Sequence, residues 1–291
     1  MALDTLLDDL PPHTLAVAVM HHDRIVGERY GPETGPDTAL ISWSMAKSFT
    51  QALVGILVRQ GRLDIHERAD VPEWADPNDP RHPITVDQLL RMSSGLAFTE
   101  DYVDAGVSDV IEMLFGRGQQ DMAAFAASFP LAEPIDTFWN YSSGTTNIVS
   151  RIVGTHVDMP AFIQSELFDP LGMASATARY DGVGTFVGSS YVYATARDFL
   201  KFGRLYLRDE PGILPEGWID YAQTPTPASS GEYGAHWWTA PLGGFRAVGY
   251  EGQYLYVVPD LDLLVLRLGK SSAEERPAVE AWVEEILHTF V

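Results

Sequence analysis

A chain of 291 residues with 46% hydrophobic and 11% aromatic content is long enough to bury a large core and too apolar to remain disordered. Its 19 basic and 40 acidic residues leave a net charge of −21, which excludes the basic footprint of a nucleic-acid-binding protein and favours neutral or cationic small molecules over anions. With no cysteine it has no disulfide and no thiol chemistry, and no run approaches the roughly 18–20 apolar residues that span a bilayer, so neither a nucleic-acid nor a membrane partner is expected.

Met1–Leu10 carries Asp4, Asp8 and Asp9 and no basic residue; it does not read as a secretory leader, and a cytoplasmic location is expected. Thr14–Met20 and Ile25–Tyr30 read as strands joined by a polar turn at His21–Arg24. Ser44 opens an apolar helix in which Phe49, Ala52, Leu53, Ile56 and Leu57 recur at helical spacing, and Gly61 stops it. Asp70–Pro83 is a Pro/Asp-rich loop, and Thr85-x-x-Gln88 is a capping box for a short helix ending at Ser93-Ser94-Gly95, a turn given a structural role. Helical patterns follow near Val107–Phe115, Asp121–Phe129, Thr145–Val157, Pro160–Phe168 and Ala196–Leu207. Strand-like runs return at Gly234–Thr239, Phe245–Gly249, Gln253–Val258 and Leu263–Leu268, and a helix over Ala273–Phe290 closes the chain. Strands at both ends with helices between predict an α/β (α+β) fold. Residues 1–63 and 191–291 form one antiparallel sheet flanked by the first and last helices, and 64–190 form an inserted, mostly helical region.

Ser44 and Lys47 stand three positions apart at the start of the first long helix, on one face, with Cβ atoms about 5–6 Å apart, as a nucleophile and a general base require. Only three lysines occur (Lys47, Lys201 and Lys270), so a titratable amine stands where an arginine would not release its proton. The positive end of the helix dipole acidifies the serine and eases deprotonation of the lysine. On spacing alone, S-x-x-K is a frequent accident.

Further blocks raise its weight. Asp87–Leu96 ends in Ser93-Ser94-Gly95, Trp139–Asn147 contains Tyr141-Ser142-Ser143, and Gly249-Tyr250-Glu251-Gly252-Gln253 precedes a strand-like run. S-x-x-K followed by a second polar element and a Gly-bearing third is the pattern of serine β-lactamases and penicillin-binding proteins. In this order the blocks resemble the class C β-lactamase-like serine hydrolases, nearest the carboxylesterase and 6-aminohexanoate-dimer hydrolase branch, from about Thr14 to Leu268. The resemblance implies a serine β-lactamase/DD-peptidase-like fold with its active site in the cleft between the two parts. It implies Ser44 as nucleophile, Lys47 as base and Tyr141 as proton relay, with the backbone N–H groups of Ser44 and Gln253 as oxyanion donors and Gly252 allowing close approach. Tyr102 matches a loop tyrosine that covers substrate.

Two departures point toward esters or linear amides. Tyr250-Glu251-Gly252 stands where lactamases carry Lys-Thr-Gly, so the cation that holds a β-lactam carboxylate is missing and Glu251 adds negative charge. Ser143 replaces the Asn of Tyr-x-Asn, with shorter hydrogen-bonding reach; it is also readable as a helix N-cap. Tyr250 is read as stacking on substrate or covering the sheet, and Trp237 and Trp238 as lining an acyl pocket or packing the sheet. The eight histidines show no ligand spacing, and no phosphate loop, dinucleotide fingerprint or G-x-S-x-G elbow occurs, so no metal and no cofactor are expected. The expected activity is hydrolysis of small esters or linear amides by a monomer or homodimer. The alternatives are a β-lactamase or D-stereospecific peptidase of the same superfamily, or a catalytically silent ligand-binding relative.

Overall fold

Residues 3–102 and 108–291 are described by a computed structural model. Strands β1 (Thr14–His21) and β2 (Arg24–Tyr30) form a hairpin whose turn residues, His22 and Asp23, both have positive φ, the geometry that matches strand twist in a two-residue turn. Three short strands, β3 (Leu40–Ile41), β4 (Thr177–Ala178) and β5 (Val192–Ala194), make a small sheet in the order β3-β5-β4. Strands β6 (Trp238–Thr239), β7 (Phe245–Gly249), β8 (Gln253–Val258) and β9 (Leu263–Gly269) complete the main antiparallel sheet, ordered β2-β1-β9-β8-β7-β6. The two chain ends meet where β1 pairs with β9, Ala18 opposite Leu266.

Every residue of β8 and β9 is buried, which explains their near-continuous apolar runs, because helices cover both faces of the sheet. One face packs on α1 (Leu3–Asp8) and the last helix, which supplies Val279, Val283, Ile286 and Leu287. The other packs on the long helix α2 (Ala46–Arg59) and on Ala196–Leu207, through Phe49, Phe199 and Phe202. Between these lie α3 (Val86–Leu90), α4 (Asp109–Phe115), α5 (Met122–Ala127), α6 (Ser143–His156), α7 (Met159–Ile163) and α8 (Asp169–Leu171); α9 (Ala196–Leu207), α10 (Trp218–Gln223) and α11 (Arg276–His288) follow. Thr85 and Gln88 form the expected capping box at the start of α3.

Four local expectations change. Helix α2 is buried on all sides rather than along one stripe: Phe49 stacks on Phe202 with centroids 3.6 Å apart, and a Cβ at Gly55 would lie 2.4 Å from the Trp218 indole nitrogen. Only Trp238–Thr239 of the expected Gly234–Thr239 strand is extended, because His236 turns at φ +58° and Gly234 presses against the Ala222 carbonyl. The Pro160–Phe168 helix divides into α7, a π-helical turn over Gln164–Phe168 and α8, closed by Gly172 at φ +65°. Helix α1 and the small sheet were not anticipated, as six- and two-residue elements carry almost no periodicity. Val107, at the start of one expected helix, lies outside the described residues. The small sheet also joins the proposed parts, since β4 belongs to the 64–190 stretch and β3 and β5 to its flanks.

Candidate active site

Ser44 sits in a single 3-10 turn, Trp43–Met45, that feeds directly into α2. Trp43 immediately before it has φ +43°, a left-handed conformation costly for an aromatic residue, and its indole nitrogen donates to Glu251 at 3.0 Å. The strained backbone and this bond together set the serine at the mouth of a cleft of about 420 Å³ that Glu100, Tyr102, Tyr141, Trp238 and Tyr250 also line. A larger surface depression of about 640 Å³ beside Trp218 is lined by no serine or lysine.

The Lys47 amine is buried beneath Ser44. Its three contacts are Ser44 Oγ at 2.9 Å, Ser143 Oγ at 2.9 Å and the Ser189 carbonyl at 3.2 Å. Burial pulls its pKa down to about 8, against the opposing pull of the Glu100 carboxylate. A neutral amine fits these contacts fully: its lone pair accepts from the Ser44 hydroxyl while its two hydrogens go to Ser143 Oγ and the Ser189 carbonyl. The Tyr141 ring lies beside it, centroid 4.7 Å from Nζ. Burial, reinforced by Glu100, pushes the Tyr141 phenol well above its ordinary range, with the Ser44 hydroxyl pulling partly back. Of the two, Lys47 is the group that releases a proton near neutral pH.

Ser143 occupies the first position of α6 and lines the site; the N-cap is Ser142, whose side chain accepts from Thr145 N at 3.0 Å. The N-cap reading of Ser143 is therefore replaced: Ser143 Oγ accepts from Lys47 and donates to Glu100 at 2.5 Å, and its N–H donates to the same carboxylate at 2.7 Å. Glu100 was not singled out in the sequence. Its carboxylate lies 3.9 Å from Lys47 Nζ, and burial raises its pKa while Lys47 and Ser143 oppose that rise. Nothing local marks it, because Thr99-Glu100-Asp101-Tyr102 looks like any polar loop. Tyr102 stacks on Tyr250 with centroids 4.6 Å apart, so both tyrosines form one wall of the cleft. The tryptophans divide: Trp237 is wholly buried against Tyr206 and Phe245, and Trp238 faces the cleft.

Gly252 and Gln253 do not line the cleft. The chain reverses after Gly249, so the backbone beside the serine turn is Gly249–Tyr250, while Gly252 ends the turn and Gln253 starts β8. A Cβ on Gly249 would meet the Ser42 carbonyl at 2.4 Å, so the backbone packs directly against the serine turn at Gly249. The Gln253 side chain instead bonds Tyr250 O at 2.8 Å and both backbone groups of Gly269. Buried Arg267 donates to the carbonyls of Glu251 and Gly252 and to Ser271, clamping the reversal from behind; burial lowers its pKa to about 10. Neither Ser44 N–H nor Tyr250 N–H has an acceptor among the described residues. Among the described residues no group of three or more His, Asp or Glu is placed to hold a metal, and no helix is long and apolar enough to cross a membrane.

The chain is 26% identical to 6-aminohexanoate-dimer hydrolase of Paenarthrobacter ureafaciens, covering 92% of this chain and 76% of the relative. Among solved structures, a Bacillus anthracis protein described as a 6-aminohexanoate-dimer hydrolase superposes with a TM-score of 0.83 at 23% identity, over 99% of this chain and 82% of that one. EstCE1, a hydrolase with promiscuous acyltransferase activity, superposes with a TM-score of 0.76 at 13% identity, over 98% and 97% of the two chains. The sequence profile of the Beta-lactamase family matches residues 3–289, and the chain belongs to that family, as a hydrolase of the β-lactamase fold.

Proposed function

We propose that the protein is a serine hydrolase that cleaves small esters or linear amides through an acyl-enzyme on Ser44. The observation that carries this reading is the buried Lys47 amine, held by Ser143 and the Ser189 carbonyl so that its remaining valence meets the Ser44 hydroxyl. Ser44 Oγ attacks the substrate carbonyl while its proton passes to the neutral Lys47 amine. The carbonyl oxygen gains negative charge, and the Ser44 and Tyr250 N–H groups are the proposed donors to it, Tyr250 taking the place given to Gln253. As the tetrahedral intermediate collapses, Lys47 returns the proton through Tyr141 to the departing alcohol or amine. Water then repeats the cycle, losing its proton to Lys47 and releasing the acid. The missing Lys-Thr-Gly cation, the carboxylate of Glu251 and the similarity to 6-aminohexanoate-dimer hydrolase support esters and linear amides over β-lactams.

Intact mass after exposure to a fluorophosphonate probe tests the reading. A single adduct on wild type that disappears in Ser44→Ala is expected, and no adduct on folded wild type would favour a catalytically silent binding protein. The close packing at Gly249 gives a second result. Gly249→Ala must displace the backbone beside Ser44, and a displacement of about 1 Å costs on the order of 10²-fold in rate. Labelling of Ser44 in this variant is expected to slow by about that factor. A folded variant labelled at the wild-type rate would show that this backbone does not support the reacting carbonyl.

A further inference from the structure

Two residues beside the proposed oxyanion donors hold left-handed backbone without being glycine. Trp43, at φ +43°, immediately precedes Ser44, and Glu251, at φ +63°, immediately follows Tyr250. Such conformations persist only where surrounding contacts impose them. Here the two residues are bonded to each other: the Trp43 indole N–H donates to Glu251 Oε2 at 3.0 Å. Among the described residues the indole is the only hydrogen-bond donor to this carboxylate. The Trp43 ring also meets the Tyr250 ring edge to face, with centroids 5.7 Å apart. From behind, the Glu251 carbonyl accepts from Arg267 at 3.1 Å and from the Ser271 N–H at 3.0 Å. The Tyr250 ring is packed by Tyr102 and by the guanidinium of Arg276, a further cleft residue, whose Cζ lies 5.8 Å from the ring centroid. Those contacts hold the ring, whereas the position of the Tyr250 N–H depends on the backbone to either side of it. One side, Gly249, rests against the Ser42 carbonyl, and the other, Glu251, is tied to Trp43. The indole bond thus joins the neighbour of one donor to the neighbour of the other. Neither Trp43 nor Glu251 lines the cleft, so neither is placed to touch substrate.

We propose that Trp43 and Glu251 are a pair of positioning residues whose hydrogen bond sets the spacing between the Ser44 and Tyr250 N–H groups, and with it the grip of the site on a tetrahedral oxyanion. This rests on the serine-hydrolase reading and deepens it. Oxyanion donors act only when they are already aimed at the place where charge develops, and a misplacement of about 1 Å costs on the order of 10²-fold in rate. A bond between two strained turns from distant parts of the chain supplies that preorganisation. The walls that hold the substrate in its ground state are left untouched.

The test measures kcat and KM for p-nitrophenyl acetate and the inhibition constant of phenylboronic acid, which forms a tetrahedral adduct on a nucleophilic serine. Wild type is compared with Trp43→Phe, Glu251→Ala, Glu251→Gln and the double variant Trp43→Phe/Glu251→Ala, each alongside a thermal melt. Trp43→Phe and Glu251→Ala are each expected to lower kcat and kcat/KM equally, by about tenfold or more, and to weaken phenylboronic acid in step. Glu251→Gln keeps an acceptor for the indole and is expected to recover most of the loss. The double variant is expected to lose no more than the slower single variant, because one bond is broken only once. Losses that multiply in the double variant, or folded single variants that turn over the ester at the wild-type rate, would overturn the pair and leave the hydrolase reading standing. A Glu251→Gln variant as slow as Glu251→Ala would also overturn it, by assigning the effect to charge. No ester turnover and no fluorophosphonate adduct on wild type would overturn the hydrolase reading and this proposal with it.

Discussion

Lys47→Met is expected to reduce turnover of a short p-nitrophenyl ester by about 10³-fold while the protein stays folded, within the 10²–10⁴-fold range that a positioned proton-transfer group contributes. Methionine matches the length of the side chain and fills the buried channel, so the change removes the amine with little change in packing. No other group takes over. Tyr141 keeps its proton far into the alkaline range, and the buried His236 is committed to Thr146 and the Leu90 carbonyl. Glu100 reaches Ser44 through intermediaries, Ser143 and Lys47 on one side and the Tyr102 hydroxyl on the other. Initial rates alongside a thermal melt decide the matter. A folded Met variant retaining most of its activity would remove Lys47 from the chemistry and leave Ser44 without its base.

The second large effect is in pH dependence. The proposed mechanism requires the neutral form of Lys47, whose pKa is lowered to about 8, so kcat/KM is expected to rise with pH and level off above that value. At pH 7 a lysine of pKa about 8 is roughly one-tenth neutral, against about three parts in ten thousand for an ordinary one at 10.5. Glu100 opposes this lowering by stabilising the ammonium. Its replacement by glutamine keeps an acceptor for Ser143 but removes the charge, so the Lys47 pKa falls further. The acid limb of the profile in Glu100→Gln therefore moves to lower pH than in wild type. A limb that stays in place would mean that Lys47 does not sense the carboxylate. A limb that moves upward would contradict the stabilisation of the Lys47 ammonium by this carboxylate.

Glu100 and Ser143 also show why part of this site was readable in the chain and part was not. Ser44 and Lys47 were legible because three residues on a helix set their separation before any tertiary contact forms. Tyr141 was legible through the ordered blocks around it, and the structure brings all three together. The oxyanion donor expected at Gln253 is proposed instead at Tyr250, which lines the cleft. The Gly-bearing motif gives a tight turn, but which side of the turn faces Ser44 depends on the pairing of β7 with β8, with Gly249 opposite Gln253. Ser142 and Ser143 are equally plausible caps in sequence, and only the start of α6 against Glu100 separates them.

The sequence by itself determined the alternation of sheet and helix, the joining of the chain ends through apolar strands, and the juxtaposition of Ser44 and Lys47, because each is written in periodicity or in residues within one turn of one another. The tertiary structure decided which carboxylate sits beside Lys47, which backbone approaches Ser44 and which arginine reaches the cleft. Glu100 lies far along the chain from Lys47, Gly249 from Ser42 and Arg276 from Ser44, and each is brought into place by sheet pairing and helix packing rather than by any local signal.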